Sequence, residues 1–252
     1  METHFYEVLT GVGFVVAALV FVTLFLVSAP YGRHTRRGWG PTVNETPGWV
    51  LMELPAVITI AVCFVWGHGL AWSPVWIFLI LWEIHYVHRT FIFPFRLRRP
   101  GRKTPILIVL FAILFNVFNG YMNGRYLGLH AGEYTLDWFT DPRFVAGAGL
   151  FFSGMAINLH ADQVLFKLRQ NGGAEYGIPQ GGLYRWISCP NYFGELLEWM
   201  GWALATWCLP GLLFAVWTAA NLVPRAITHH RWYRERFAEY PAERKAIVPF
   251  VW

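Results

Sequence analysis

Asn158, Asp162 and Arg169 stand four and seven residues apart, which on a helix places all three within one narrow sector of its surface. The stretch that carries them, NLHADQVLFKLR (158–169), follows directly on an apolar run, where hydrocarbon tolerates such groups poorly. Arg225, His229 and Tyr233 repeat every four residues and form a second stripe, while Asn191 is followed by Glu195 and Glu198. Glu53 lies beside Leu54 and Pro55, where a proline frees a backbone carbonyl, and Glu83, His85, Tyr86, His88 and Arg89 crowd one segment end. Taken singly, each could be a packed or snorkelling side chain. Together they predict a shared polar cavity that opens on one side of a membrane. Nine histidines, several of them isolated, make a poor metal-ligand set beyond His85-x-x-His88 and His229-His230, so no metal is expected. No nucleophile with a base is visible, and the pairs Gly11/Gly13 and Gly147/Gly149 lack the third glycine of a dinucleotide fingerprint. The remaining inventory suits a phosphorylated dinucleotide: arginine for phosphates, Asn and Asp for carboxamide or ribose hydroxyls, tyrosine for stacking or hydrogen bonding.

The elements that must hold these residues are membrane helices. Of 252 residues, 56% are hydrophobic and only 14% charged, against about 25% charged in soluble domains. The fold expected is an all-α integral membrane protein with seven transmembrane helices near 8–29, 49–67, 71–90, 104–123, 144–167, 192–208 and 210–228. The first is read as an uncleaved helix, because METHFYE supplies no basic leader and the apolar run is long enough to span. With the N-terminus outside and the C-terminus cytosolic, only Arg125 and Arg143 of the 20 Lys and Arg residues fall outside, as the positive-inside rule requires. The basic loop FRLRRPGRK also suits attraction to anionic lipid. Cys63, Cys189 and Cys208 are scattered and imply no disulfide framework.

Several stretches carry a resemblance that covers essentially the whole chain. HYVHRTFIFPF (85–95), NLHADQVLFKLR, YGIPQGGLYRWISCPNYFGELLEWMGWALATWCLP (176–210) and HHRWYRERFAEYPAERKAIVPFVW (229–252) are similar to the steroid 5α-reductases, as are YGRHT (31–35) and ELP (53–55). The short length resembles a compact bacterial member. The resemblance implies NADPH-dependent reduction of the 4,5 double bond of a 3-oxo-4-ene steroid, hydride going to C5 and a proton to C4. Glu53 and Tyr86 match the family's substrate-polarising pair. The matching cofactor positions are Asn158, Asp162, Arg169, Tyr176, Asn191, Glu195, Arg225, His229 and Tyr233, with Arg89, Arg33 and Arg102. The basic loop RRPGRKTP departs from the family's usual spacing at Arg102. The implied arrangement is one domain, 1–252, in which 1–123 mainly forms the substrate pocket and 144–252 mainly the NADPH site, with QNGGAEYGIPQGG able to close over the cofactor or to serve as a plain connection. The expected partners are a steroid entering from the membrane and the bilayer itself, with no nucleic acid and no protein partner. The location is a multi-pass integral membrane protein of a bacterial inner membrane or an endoplasmic reticulum. A trans-2-enoyl-CoA or other enone reductase would share the cofactor wall. A prenylcysteine-type methyltransferase has a similar C-terminal architecture, but its cofactor carries no phosphate for the arginines. A seven-helix receptor or transporter would fit the topology but not a polar stripe running into a basic tail.

Overall fold

The computed structural model describes residues 2–27, 38–97, 101–172 and 177–251. Its main elements are α1 (Glu2–Leu26), β1 (Thr42–Asn44), α2 (Glu45–His68), α3 (Trp76–Phe91), α4 (Phe93–Arg96), β2 (Lys103–Pro105), α5 (Ile106–Leu129), α6 (Pro142–Gly172), α7 (Pro190–Thr206) and α8 (Leu209–Arg236). Among the described residues, five helices are long and apolar enough to cross a membrane: α1 from His4, α2, α5, α6 to Gln170, and α8. The chain is thus a mostly helical, multi-pass membrane protein. The sequence reading expects seven such helices, but the third and sixth are shorter, at 16 residues for α3 and 17 for α7. Ser73-Pro74 delays the start of α3, and Trp207, at φ 48°, ends α7 in the left-handed region. One small antiparallel pair, β1 with β2, in which Val43 faces Thr104, accompanies the helices.

The chain forms two compact units, Pro30–Phe144, and Met1–Ala29 with Val145–Trp252. In the first, the strand pair fixes where two helices begin. Glu45 N donates to Arg102 O at 3.0 Å, and Ile106 N donates to Pro41 O at 2.9 Å, so α2 and α5 start side by side and run parallel. Along them Asn116 Nδ2 donates to Met52 O at 2.6 Å. Further on, Gly120, Gly124 and Gly128 lie against Thr59, Ile60 and Phe64 in turn. A Cβ at Gly124 would sit 2.5 Å from Ile60 O, so the small-residue stripe permits the backbone contact that drives helix association in lipid. α3 runs antiparallel to α2, and Trp82 Nε1 donates to Ala56 O at 3.2 Å, one residue beyond Pro55.

In the second unit α1 packs on α8, where Trp217 Nε1 donates to Gly13 O at 3.0 Å. α6 and α7 approach through reciprocal glycines: Gly147 meets Gly201, and Gly154 meets Gly194. Phe151, Trp199 and Trp202 fill the space between with fully buried rings. α7 turns into α8 at Cys208, whose Sγ accepts from Gly211 N at 3.4 Å. The segment after α8 returns to the loop before α7, with Lys245 N donating to Trp186 O and Ser188 N to Lys245 O, both at 2.9 Å.

Candidate functional site

The glycine contact between α6 and α7 places the first polar group. Gly194 leaves space for the backbone of Asn158, and that brings the Asn158 amide to the start of α7. Asn158 Nδ2 donates to Asn191 O at 2.9 Å and lies 3.5 Å from Glu195 Oε2. One turn along α6, Asp162 Oδ1 accepts from Asn191 Nδ2 at 3.3 Å. Asn158 and Asp162 are both buried. The result is an alternating ladder, Glu195–Asn158–Asn191–Asp162, in which amides and carboxylates from two helices meet. Three of these contacts, at 2.9, 3.3 and 3.5 Å, run from good to marginal hydrogen-bond lengths, so the longer ones exchange readily for a better partner.

The α8 stripe adds cationic and aromatic groups. Arg225 Nε donates to Tyr192 OH at 2.8 Å, and the Tyr192 ring lies 5.5 Å from the His229 ring. Cys189 Sγ stands 3.9 Å from His229 Nδ1, and Tyr233 stacks on Tyr240 at 5.2 Å. Beside α6, the buried Tyr184 hydroxyl donates to Ala161 O at 3.4 Å. Burial pushes the Tyr184 phenol well above its ordinary range, with Tyr233, Asp162 and Cys189 raising it further and Arg169 pulling it back. It therefore stays a donor, and its neighbours tie Asp162, Arg169 and Tyr233 to one region. Arg244 closes the flank: it donates to Pro179 O at 3.1 Å and Gln180 Oε1 at 2.9 Å, linking the C-terminal segment to the loop after residue 177.

The other unit holds the second group. On α2 and α3, Arg89 Nε lies 3.7 Å from Glu53 Oε1. Its guanidinium lies against both Trp49 and Phe93, 4.9 and 4.8 Å from the ring centres, and the two rings touch each other at 5.0 Å, contacts worth more where water is excluded. Trp49 Nε1 donates to Arg89 O at 3.2 Å, completing a clamp. Tyr86, buried at 4% exposure, stacks on Trp82 at 4.8 Å and meets the edge of His85 at 5.0 Å. These aromatic neighbours fix the phenol's direction.

Asn158, Asp162, Asn191 and Glu195 are thus brought together, as are Arg225 and His229 through Tyr192, while Glu53 and Arg89 form a pair one turn from Tyr86. Arg102 supplies its carbonyl to the base of α2 and its side chain is half-buried. Arg33 and Tyr176 lie outside the described residues, as do residues 173–176 of the expected closing loop. Sequence reasoning passed over Tyr184, Tyr192 and Trp49. Trp49 stands four residues before Glu53, a spacing that puts both on one helix face. Tyr184 and Tyr192 carry no such signal, since a phenol near a helix start does not stand out against an apolar background.

Comparison with known proteins shows what the chain is similar to. A family model described as 3-oxo-5-alpha-steroid 4-dehydrogenase matches residues 102–252. The chain is 42% identical over 235 residues to 3-oxo-5-alpha-steroid 4-dehydrogenase 1 of Bos taurus, covering 92% of this chain and 91% of that one. It is 43% identical over 239 residues to steroid 5-alpha-reductase DET2 of Arabidopsis thaliana, covering 92% and 90%. With DET2 of Gossypium hirsutum it shares 38% over 243 residues, covering 95% and 94%.

Proposed function

Because the chain belongs to the 3-oxo-5-alpha-steroid 4-dehydrogenase family, we propose that it reduces the 4,5 double bond of a 3-oxo-4-ene steroid with NADPH. The observation that carries this reading is the convergence of Asn158, Asp162, Asn191 and Glu195 between α6 and α7. That donor set fits the nicotinamide ribose and carboxamide. Asn158 and Asn191 donate and accept, while the two carboxylates accept hydroxyl or amide protons. Arg169 and Arg225, with Arg33 and Arg102 on their family match, suit phosphates that together bear several negative charges; Arg89, matched to the family's cofactor positions, is engaged with Glu53. His229, Tyr233 and Tyr176 complete the set. NADPH supplies the hydride that C5 receives.

The remaining chemistry belongs to Tyr86 and Glu53. As C5 gains hydride, negative charge develops on the C3 oxygen, and a donor already aimed there stabilises that charge most in a dry site. Tyr86 donates to the C3 oxygen; its stacking on Trp82 pays in advance for the orientation. Glu53 orients that phenol, and C4 then takes a proton that comes from solvent. The steroid reaches this group from the bilayer.

We further read seven membrane crossings with the N-terminus outside. α3 and α4 are separated only by Ile92, and together they span residues 76–96, roughly 31 Å of helix at the usual rise. Cysteines placed at Asp137 and Arg236 in a chain without native thiols then label from opposite sides; labelling of both from one side overturns the orientation. The activity is tested by incubating the purified chain with NADPH and either a 3-oxo-4-ene steroid or a trans-2-enoyl-CoA. A 5α-reduced steroid is the expected product, and turnover of the thioester alone refutes the steroid assignment.

A further inference from the structure

Among the side-chain polar atoms of the Pro30–Phe144 unit that have neither solvent access nor a hydrogen-bond partner among the described residues, two that the activity proposed above does not use lie near the middle of their helices. They are Glu83 Oε1 on α3 and Asn119 Nδ2 on α5. Asn119 is 4% exposed. Its Oδ1 accepts from Asn123 Nδ2 at 3.0 Å, which holds the amide so that its NH2 group turns away from Asn123. Membrane-spanning helices rarely carry such groups without a function.

The helix contacts set both at one level. Asn116 reaches Met52 O and Gly120 lies against Thr59, so Asn119 falls beside the turn of α2 that ends at Thr59. Trp82 reaches Ala56 O, so Glu83, the next residue, stands at the height of that same turn, about 100° round α3 from Trp82. Glu53 lies about one turn back along α2, roughly 5 Å along the axis. Tyr86 lies one turn from Glu83 on α3, and on the same face. A carbonyl held at Tyr86 therefore leaves the rest of its ring system extending along a level where one buried acceptor and one buried donor stand.

The two atoms differ in kind, and that selects the ligand chemistry. Glu83 Oε1 accepts and Asn119 Nδ2 donates. A hydroxyl carries both a proton to give and lone pairs to receive, whereas a ketone can satisfy only Asn119 and a hydrocarbon neither. Resting on the steroid reading above, we propose that Glu83 and Asn119 are specificity-determining residues that recognise a hydroxyl group on the substrate remote from its 3-oxo group.

The test uses the full-length chain with NADPH and three matched 3-oxo-4-ene steroids that carry a hydroxyl, a ketone or hydrogen at the remote end. Both kcat/KM and equilibrium steroid binding are measured. Sites built around a polar group discriminate strongly against analogues that lack it, so the wild type should favour the hydroxyl over the hydrogen compound by about tenfold or more. Glu83→Leu and Asn119→Ala should each bring that ratio close to one while leaving the hydrogen compound within about threefold of wild type. Against the ketone, Asn119→Ala should lose affinity and Glu83→Leu should not. Glu83→Gln, which retains an acceptor oxygen and guards against misfolding of the leucine variant, should keep the preference. An unchanged ratio in the variants, as a water bridging the two groups would give, overturns the inference, and so does an equal fall for all three compounds. A chain that binds the steroids with the expected ratios but turns none over refutes the reductase reading and leaves the inference standing.

Discussion

Gly194→Ala tests whether the backbone contact between α6 and α7 sets cofactor affinity. A Cβ at this position would lie 2.6 Å from both Asn158 N and Gly154 O, where ordinary contact begins at 3.4 Å. Both neighbours are backbone atoms that cannot swing aside, so the helices must part by about 0.8 Å to restore ordinary packing. The hydrogen bond from Asn158 to Asn191 O, now 2.9 Å, then stretches to roughly 3.7 Å, beyond useful range. A buried amide deprived of its partner costs about 1–3 kcal/mol, which corresponds to roughly five- to 150-fold in binding. NADPH titration followed by nicotinamide fluorescence should therefore show a Kd raised by about tenfold or more, with helix content by circular dichroism unchanged. Gly149→Ala is the control, because nothing lies within 4 Å of a Cβ at that position, and it should bind NADPH as wild type does. Wild-type affinity in Gly194→Ala would show that the ladder of Asn158, Asn191, Asp162 and Glu195 is not the dinucleotide site.

Tyr86→Phe should lower turnover by about two orders of magnitude, the usual loss with a missing oxyanion donor, while NADPH affinity stays within error; wild-type turnover would end the assigned role. Arg169→Ala should weaken NADPH binding with a steep salt dependence and Asp162→Asn with little, so equal slopes at two ionic strengths would show that the charge assignment along α6 is wrong. Arg89→Met retains contact with Trp49 and Phe93 but removes the charge beside Glu53, and kcat should fall about tenfold or more; adding Glu53→Gln should recover part of that loss, and a strictly additive double variant would refute the coupling. At the start of α6, Asp141 accepts from Arg143 N, Nε and Nη2 at 2.8, 2.9 and 2.8 Å, bonds that hold its carboxyl down at about 2. That depressed value makes its stabilisation fully present above the ordinary carboxylate range and lost as pH falls toward about 2. Asp141→Ala should flatten this part of the acid-melting curve, and an unchanged curve would count against a stabilising role for the Asp141–Arg143 contact.

How much of this was legible depended on contrast. Asn158, Asp162 and Arg169 stand out because they interrupt an apolar background at helical spacing, and the structure gathers the first two with Asn191 and Glu195. Arg225 and His229 stand out in the same way, and both meet Tyr192. Hydropathy averaged over a span-length window carries the third segment back across Ser73-Pro74, whereas the backbone begins α3 only at Trp76. The strands Thr42–Asn44 and Lys103–Pro105 are three residues each, too short for alternation to register. The pairing of α1 with α8 joins residues some 200 positions apart, as in the bond from Trp217 to Gly13 O. Periodicity within a segment says nothing of such a partner. The glycines at 147, 154, 194 and 201 are visible as residues, but their meaning lies in which backbone faces them, and that requires the fold.

The pairing of Glu53 with Arg89 resolves an apparent conflict in the chemistry proposed for Tyr86. An unbalanced carboxylate close to a developing oxyanion raises the energy of the transition state, since like charges repel strongly where water is excluded. Arg89, 3.7 Å from Glu53, makes the local sum close to zero. Its contacts with the Trp49 and Phe93 rings hold that charge still without a second anion. Glu53 can then act through orientation, accepting a hydrogen bond and directing a donor, rather than through net charge. The ring contacts also explain why arginine suits this place better than lysine: a planar guanidinium can lie over aromatic rings and still keep an N–H edge for the carboxylate, which a compact ammonium cannot do. In the proposed mechanism, oxyanion stabilisation thus comes from the neutral Tyr86 dipole, held by Trp82 and His85, beside an ion pair that contributes almost no net charge. An arrangement of that kind needs no reorganisation as the C3 oxygen becomes negative, which is the condition under which fixed dipoles accelerate a reaction most.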